Sequence, residues 1–175
     1  MTALEAYELI THGGASDFAE LIRACESFGP YCLIGGLAVN CFVEPVYTLD
    51  ADIVVIAARL SKLAGFLQER GFPIETHPYS VNVFGPKSEL RIQFTTDERY
   101  QPFLERAIAA EVLGVSVKVA CLEDVTRGKL WAWSDPRSRL SKRKKDELDL
   151  IRLAESHPEL KVLYPPEIRE QLERG

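Results

Sequence analysis

The glycine pair Gly35-Gly36 constrains the fold of this chain more than any other feature of its sequence. It ends a short apolar run that begins at Tyr31, and the segment LAVNCF, whose apolar spacing suits a helix, follows it directly. This order predicts a strand, a tight turn and the start of a helix. At such a turn, free backbone N–H groups and the positive end of the helix dipole can hold a phosphate. Most turns of this kind bind nothing, so the pair alone defines no site.

A second buried strand is predicted from Leu49 to Ile56, and its first residues are acidic. The period of two in a strand puts Asp50 and Asp52 on one face, with Cα atoms roughly 7 Å apart. Carboxylates at the start of a buried strand are costly unless a cation or hydrogen-bond donors meet them. Two at this spacing can share one hard metal ion or bridge two, which favours a Mg²⁺ site. The alternative is a pair that faces solvent or caps a neighbouring helix.

The remaining periodicity predicts helices at both ends of the chain and strands in its middle. We expect two opening helices, with Ser16 capping the second, and a later helix that Ser61 caps and Gly71 ends. The other expected elements are strands in PIETH, SVNVF and ELRIQF, a helix from Asp97 to Ala110, an extended segment around Gly114, helices at about Leu122 to Trp133 and Ser141 to Glu155, and a helix after Pro165-Pro166.

These elements predict an α/β (α+β) fold in which helices flank a small mixed β-sheet. We expect one domain over residues 1–175, with a core at about 31–120 and a C-terminal helical part at about 121–175. A length of 175 residues suits one ordinary domain.

Composition excludes several classes of protein. Lys and Arg total 21 against 26 Asp and Glu, so a protein that coats nucleic acid over its whole surface is disfavoured. No apolar run is long enough for a membrane span, and acidic residues stand where a signal peptide would be basic, so we expect a cytoplasmic protein without a membrane partner. The four cysteines lack metal spacing and are expected to be free thiols.

The two motifs together resemble the signature of polymerase-beta-type nucleotidyltransferases. Within that superfamily the chain is most similar to the small bacterial group that contains the abortive-infection and toxin-antitoxin nucleotidyltransferases. The resemblance covers about residues 31–153 and rests on GGLAVN at 35–40, TLDADI at 48–53, LEDV at 122–125, Lys129 and RKKDELDL at 143–150.

The resemblance implies a nucleotidyltransferase fold and a Mg²⁺-dependent reaction that uses two ions. A nucleoside monophosphate would move from a nucleoside triphosphate to a hydroxyl of RNA, tRNA included, or of a protein, and pyrophosphate would be released. It also implies an antitoxin partner, as one half of a toxin-antitoxin pair. The implied catalytic and metal-binding residues are Asp50 and Asp52, and the implied nucleotide contacts are Gly35, Gly36, Thr48 and Lys129.

Two positions depart from the family pattern. Relatives place a third carboxylate on a later strand, where this chain has Gln93, and an amide cannot take a proton from an attacking hydroxyl. Glu89, on the same strand face, is the alternative acid. Relatives also carry an arginine where this chain has Val46. The rival interpretation is therefore a nucleotide- or RNA-binding module that has the fold without the turnover.

Lys129 and the basic run that follows it each allow two interpretations. Lys129 projects from an apolar helix face, so it either forms an ion pair with Asp146 on the next helix or reaches triphosphate oxygens. Six cations lie between residues 137 and 145. They form either a solvated helix start or a platform for a triphosphate or RNA, with Arg143, Lys144 and Lys145 as the RNA contacts.

Overall fold

In the computed structural model, which describes residues 2–174, seven strands form one mixed sheet. The strands are β1 (Tyr31–Ile34), β2 (Asp50–Val55), β3 (Ile74–Thr76), β4 (Ser80–Phe84), β5 (Arg91–Thr95), β6 (Ile108–Val112) and β7 (Val115–Val119). Their order across the sheet is β3-β4-β5-β2-β1-β7-β6. β2 runs antiparallel to β1 and parallel to β5, and β1 runs parallel to β7.

Seven α-helices surround this sheet in the described part of the chain. They are α1 (Ala3–Thr11), α2 (Gly14–Phe28), α3 (Gly35–Val39), α4 (Ala57–Glu69), α5 (Leu122–Ser134), α6 (Leu140–Ser156) and α7 (Pro166–Arg174). Two 3₁₀ segments, Glu98–Arg106 and Pro158–Leu163, complete the secondary structure. None of the helices formed by residues 2–174 combines the length and the apolar character that a membrane crossing requires.

The buried centre of the sheet fixes where the acidic residues lie. Ile53 and Val54 of β2 are fully buried on opposite faces, because β2 is an inner strand covered on both sides. Only the start of β2 is open to solvent, and Asp50 is exposed there. The mixed sheet flanked by helices confirms the predicted fold class.

The two predicted serine caps are wrong. α2 begins at Gly14, and Ser16 lies inside its first turn, where the hydroxyl donates to the Gly13 carbonyl. α4 begins at Ala57, four residues before Ser61, without a side-chain cap. α2 starts earlier because its first turn is buried at Gly14, Ala15 and Asp17, and this packing outweighs the modest free energy of one cap. Packing does not explain the earlier start of α4, since Ala57, Ala58 and Arg59 are exposed.

The predicted helix from Asp97 to Ala110 is also wrong. Its first part is a 3₁₀ helix that contains Pro102, and its last part belongs to β6. β6 pairs with β7 across a tight turn in which Leu113 and Gly114 have φ angles of 52° and 77°. Positive φ at both central residues is typical of the hairpin turn that matches strand twist. Pairing with β7 therefore overrides the helical spacing of this segment.

Candidate active site

The glycine turn and the two carboxylates meet at one cleft of about 660 Å³. The cleft lies between the sheet and the paired helices α5 and α6. The residues that line it come from widely separated parts of the chain: Gly36, Thr48, Asp50, Asp52, Asn82, Phe84, Arg91, Ile92, Gln93, Lys129, Arg139, Ser141, Lys142, Lys145 and Asp146. The structure thus brings together the residues that the sequence motifs single out.

Asp50 and Asp52 both face this cleft from the start of β2. Burial raises the pKa of the Asp52 carboxyl above its usual value; Lys129 and Lys142 oppose that shift, and the neighbouring Asp50 adds to it. The Asp52 carboxylate is therefore poorly stabilised by the protein itself. A divalent cation between the two carboxylates would supply the missing counter-charge, because carboxylate oxygens are the ligands that hard cations prefer.

The glycine turn lies directly against Asp52. Gly35 has a φ of 72°, and a Cβ atom added there would overlap the Asp52 side chain. A Cβ on Gly36 would lie 3.0 Å from the Thr48 hydroxyl oxygen. Only glycine allows the backbone to approach both side chains so closely. α3 has just five residues, so the free N–H groups of the turn, rather than a long helix dipole, are the donors available to a phosphate.

Thr48 reaches the cleft from an irregular loop, and the Asn40 side chain holds the backbone of that loop at Val46. The Asn40 amide donates to the Val46 carbonyl (2.7 Å) and accepts from the Val46 N–H (3.1 Å). Thr48 itself is buried, whereas the Val46 side chain is 40% exposed. Position 46, where the family pattern implies an arginine, is thus held by hydrogen bonds to its backbone and not by its side chain.

Lys129 is the centre of a buried ion cluster between α5 and α6. Its Nζ lies 2.8 Å from Asp146 Oδ1 and 2.7 Å from Asp149 Oδ2, and the lysine is only 7% exposed. Burial lowers the pKa of Lys129, but the carboxylates of Asp149 and Asp146 together raise it by more than burial lowers it. The net shift is therefore upward, and the ammonium stays charged. The predicted Lys129–Asp146 ion pair is confirmed. Asp149 was not predicted, although its spacing of three residues from Asp146 puts both on one helix face.

Replacing Lys129 with methionine is expected to lower the free energy of unfolding by about 3 to 5 kcal/mol, because two buried carboxylates lose their shared cation. The loss should fall at the lower end of this range, since Arg152 stays on Asp149 and Lys142 lies 3.5 Å from Asp146. Urea unfolding measures it. Lys62→Met, on the exposed side of α4, is the control and should change little. A loss as small as the control's would mean that the cluster does not hold α5 to α6.

Gln93 lies on β5, directly beside Asp52 of β2. In strand register Asp50 pairs with Arg91 and Asp52 with Gln93. Glu89, the alternative acid, contacts His12 at 3.5 Å and is not among the residues that line the cleft. Across residues 2–174, no three His, Cys, Asp or Glu side chains are grouped so that they could hold a metal ion. The position expected to carry a third carboxylate thus holds a neutral amide.

The basic run divides between the cleft and the helix surface. Arg139, Lys142 and Lys145 line the cleft. Arg143 instead donates from Nε to the Trp133 carbonyl at 3.0 Å, and Lys144 pairs with Glu147 at 2.9 Å. Of the three residues predicted to contact RNA, only Lys145 faces the cleft, and RNA contact by all three stays a prediction.

A family model described as the nucleotidyl transferase AbiEii toxin of a type IV toxin-antitoxin system matches residues 26–174. The match spans most of the chain, so the protein belongs to this family of nucleotidyltransferases. The family resemblance seen in the sequence is thereby confirmed. No curated protein matches the chain.

Solved nucleotidyltransferases share the fold. ANT(2")-Ia in complex with adenylyl-2"-tobramycin superposes with a TM-score of 0.55 at 15% identity, covering 91% of this chain and 97% of that one. The lincosamide antibiotic adenylyltransferase LnuA, lincomycin-bound, has a TM-score of 0.53 at 13% identity, and the match covers 77% of this chain and 94% of that one. An antigenic nucleotidyltransferase-like protein from Paracoccidioides brasiliensis has a TM-score of 0.57 at 18% identity, and the match covers 81% of this chain and 75% of that one. At these identities the likeness establishes the fold alone.

Proposed function

We propose that this protein transfers a nucleoside monophosphate from a nucleoside triphosphate to a hydroxyl acceptor in a Mg²⁺-dependent reaction. The observation that carries this proposal is the contact between the Gly35 turn and Asp52, which sets backbone donors for a phosphate directly beside two carboxylates. Membership of a nucleotidyltransferase family supports the transfer of a nucleoside monophosphate in general.

Asp50 and Asp52 are the residues that would hold Mg²⁺. Their carboxylates share one face of β2, and the pKa of Asp52 is raised chiefly by burial, as expected for an anion that lacks a counter-charge. The Gln93 amide oxygen, triphosphate oxygens and water would complete the coordination of one ion, and a second ion would depend still more on the triphosphate. When bound, Mg²⁺ would neutralise the charge that develops on the reacting phosphate.

The protein groups bind and orient the triphosphate in the proposed reaction. The turn at Gly35 and Gly36, with Thr48, binds phosphate oxygens and orients the triphosphate. The acceptor oxygen forms a bond to the α-phosphorus, the bond from that phosphorus to the bridging oxygen breaks, and pyrophosphate leaves with the electron pair. Because the Gln93 amide cannot accept a proton, the proton of the acceptor hydroxyl leaves to water, and turnover is expected to be slow.

An RNA acceptor, tRNA included, fits the charge of the cleft. Arg91, Arg139, Lys142 and Lys145 all line it. A cationic acceptor such as tobramycin, the product of which is bound in the related ANT(2")-Ia, would be repelled by these residues. A protein hydroxyl is the second acceptor to test, and the family's description as a toxin supports an antitoxin protein as a partner.

The second candidate function is a nucleotide- or RNA-binding module without turnover, and Gln93 beside Asp52 favours it. Titrating nucleoside triphosphates into the protein by calorimetry, with and without Mg²⁺, tests whether binding occurs. Pyrophosphate release in the presence of RNA then separates the enzyme from the binding module. An absence of Mg²⁺-dependent binding of any of the four common nucleoside triphosphates would reject the enzyme and the nucleotide-binding module. An absence of RNA binding as well would reject the RNA-binding module.

Two adjacent lysines of α6 test the role of the cleft in RNA binding. Lys145→Ala should weaken binding of single-stranded RNA and lower the slope of log K against log salt concentration by about one, because one phosphate contact is lost. Lys144→Ala removes the same charge from a residue paired with Glu147 outside the cleft, so its slope should stay at the native value. Filter binding across a salt series measures both. Equal effects of the two substitutions would mean that RNA does not enter the cleft.

A further inference from the structure

The order of the strands indicates from which side an acceptor must approach. In-line displacement needs the attacking and leaving oxygens on opposite sides of the α-phosphorus. β2, with Asp50 and Asp52, lies between β1 and β5 in the sheet. The glycine turn that would hold the departing phosphates follows β1. The acceptor hydroxyl therefore approaches from the opposite side, over β5 and β4.

Five residues of β4 and β5 line the cleft on that side, and one of them, Ile92, is buried in the core. We name the other four the acceptor strip: Asn82, Phe84, Arg91 and Gln93. In strand register Phe84 pairs with Arg91, and Asn82 pairs with Gln93. The Gln93 amide donates to Asn82 Oδ1 at 3.4 Å. Asn82 and Phe84 are half-buried, and Arg91 and Gln93 are exposed. The strip is thus a continuous and accessible surface that begins beside Asp50 and Asp52.

The side chains of the acceptor strip are suited to binding a nucleotide, and they are not suited to binding a cationic acceptor. Phe84 offers an aromatic ring for stacking on a base, and the two amides offer donors and acceptors to a base edge. Arg91 offers a guanidinium to a phosphate. None of the four is acidic, and whereas Arg106 and Arg152 pair with buried aspartates, Arg91 makes no ion pair within residues 2–174.

We propose that the acceptor strip binds the hydroxyl-bearing end of a single-stranded RNA, with Phe84 under the terminal base and Arg91 on the adjacent phosphate. This inference rests on the proposed nucleotidyl transfer and adds the acceptor subsite to it. Arg91 and Phe84 then set acceptor specificity, while the glycine turn and the carboxylates bind the triphosphate. Nucleotide binding and acceptor binding are thus carried by different residues of one cleft.

Arg91→Ala, Arg91→Lys and Phe84→Leu in the full chain test this division, with Arg59→Ala, an exposed arginine of α4, as the control. The probe is a short single-stranded RNA oligonucleotide, and filter binding across a salt series gives its affinity. Arg91→Ala should lower the salt slope by about one, and Arg91→Lys should keep it. Phe84→Leu should weaken RNA binding by about 5- to 150-fold, the range for loss of one stacked base. Arg59→Ala should match the native protein.

Calorimetry with Mg²⁺ and nucleoside triphosphate separates failure of this inference from failure of the proposed function. All four variants should keep the native nucleotide affinity, which also shows that they are folded. Unchanged RNA affinity and salt slope in both Arg91→Ala and Phe84→Leu would overturn the acceptor strip and leave the nucleotide site standing. Loss of nucleotide affinity in Arg91→Ala, with native affinity in Arg59→Ala, would assign Arg91 to the triphosphate and also overturn it. A native protein that binds no nucleotide would instead reject the proposed function.

Discussion

Gln93→Asp should raise Mg²⁺ affinity and increase nucleotide transfer by about 10- to 1000-fold, the scale of one metal-ligand or general-base contribution. Gln93 lies beside Asp52 on the adjacent parallel strand. An aspartate there adds an anionic ligand and a group that can accept the proton of the acceptor hydroxyl. Pyrophosphate release under saturating nucleotide, compared with the native protein, measures the gain.

Asn82→Asp is the matched control for this gain. Asn82 lies beside Gln93 but one strand further from Asp52, so the substitution adds the same charge to the same face without reaching the two carboxylates. Its transfer rate should not rise. Fast transfer by the native protein, undiminished in Gln93→Ala, would contradict the assignment of this position. Tighter Mg²⁺ binding without faster transfer in Gln93→Asp would favour the binding module, because more than one carboxylate would then be missing.

Asp52→Asn is expected to abolish Mg²⁺-dependent nucleotide binding while the unfolding temperature stays the same or rises. The pKa of Asp52 is raised in the folded protein, mainly by burial. Such a carboxyl contributes its full stabilisation below its unfolded pKa, and this contribution is lost as the pH rises through the higher folded pKa. At neutral pH, replacing the Asp52 carboxylate with the neutral amide of asparagine is therefore not expected to lower the free energy of unfolding. Asp50→Asn should lose binding in the same way, since in the proposed function both carboxylates would hold the same cation.

Calorimetry of nucleotide binding and thermal unfolding of the same samples measure the two effects together. Asp97→Asn is the control, because Asp97 pairs with Arg99 at 2.7 Å outside the cleft. Nucleotide binding should be native in that variant. Unchanged Mg²⁺-nucleotide affinity in Asp52→Asn would remove Asp52 from the metal site, and a large fall in its unfolding temperature would show that the carboxylate stabilises the fold instead.

Local sequence signals predicted the centre of the fold well. The strand that ends at Gly35 and the strand that starts at Asp50 were found because glycine pairs and buried apolar runs are strong local signals. The prediction for the segment from Asp97 to Ala110 failed because its helical spacing competes with two other local features. Pro102 lies within its 3₁₀ part, and its last residues pair with β7 through the tight turn at Leu113 and Gly114.

The site was predictable where its residues are neighbours in sequence and less so where α5 and α6 supply them. Lys129 was expected to pair with Asp146, but Asp149 was missed because the second carboxylate matters only once two helices pack around one ammonium. The basic run could not be divided from sequence either. Which cations face the cleft depends on how α6 is rotated, and that rotation is set by packing.

The hydrogen bonds between Asn40 and the Val46 backbone bear on how this site can change over evolution and how tightly it can bind. A loop that is already ordered in the free protein loses little conformational entropy when a ligand arrives, so more of the contact energy of Thr48 is available for affinity. Since the Asn40 amide forms its hydrogen bonds with main-chain atoms of Val46, the side chain at residue 46 can be exchanged without moving Thr48. The arginine that the family pattern implies at position 46 and the valine found here should therefore suit the fold of the loop equally well. Ligand contact is then the property of the site that the choice between them would change.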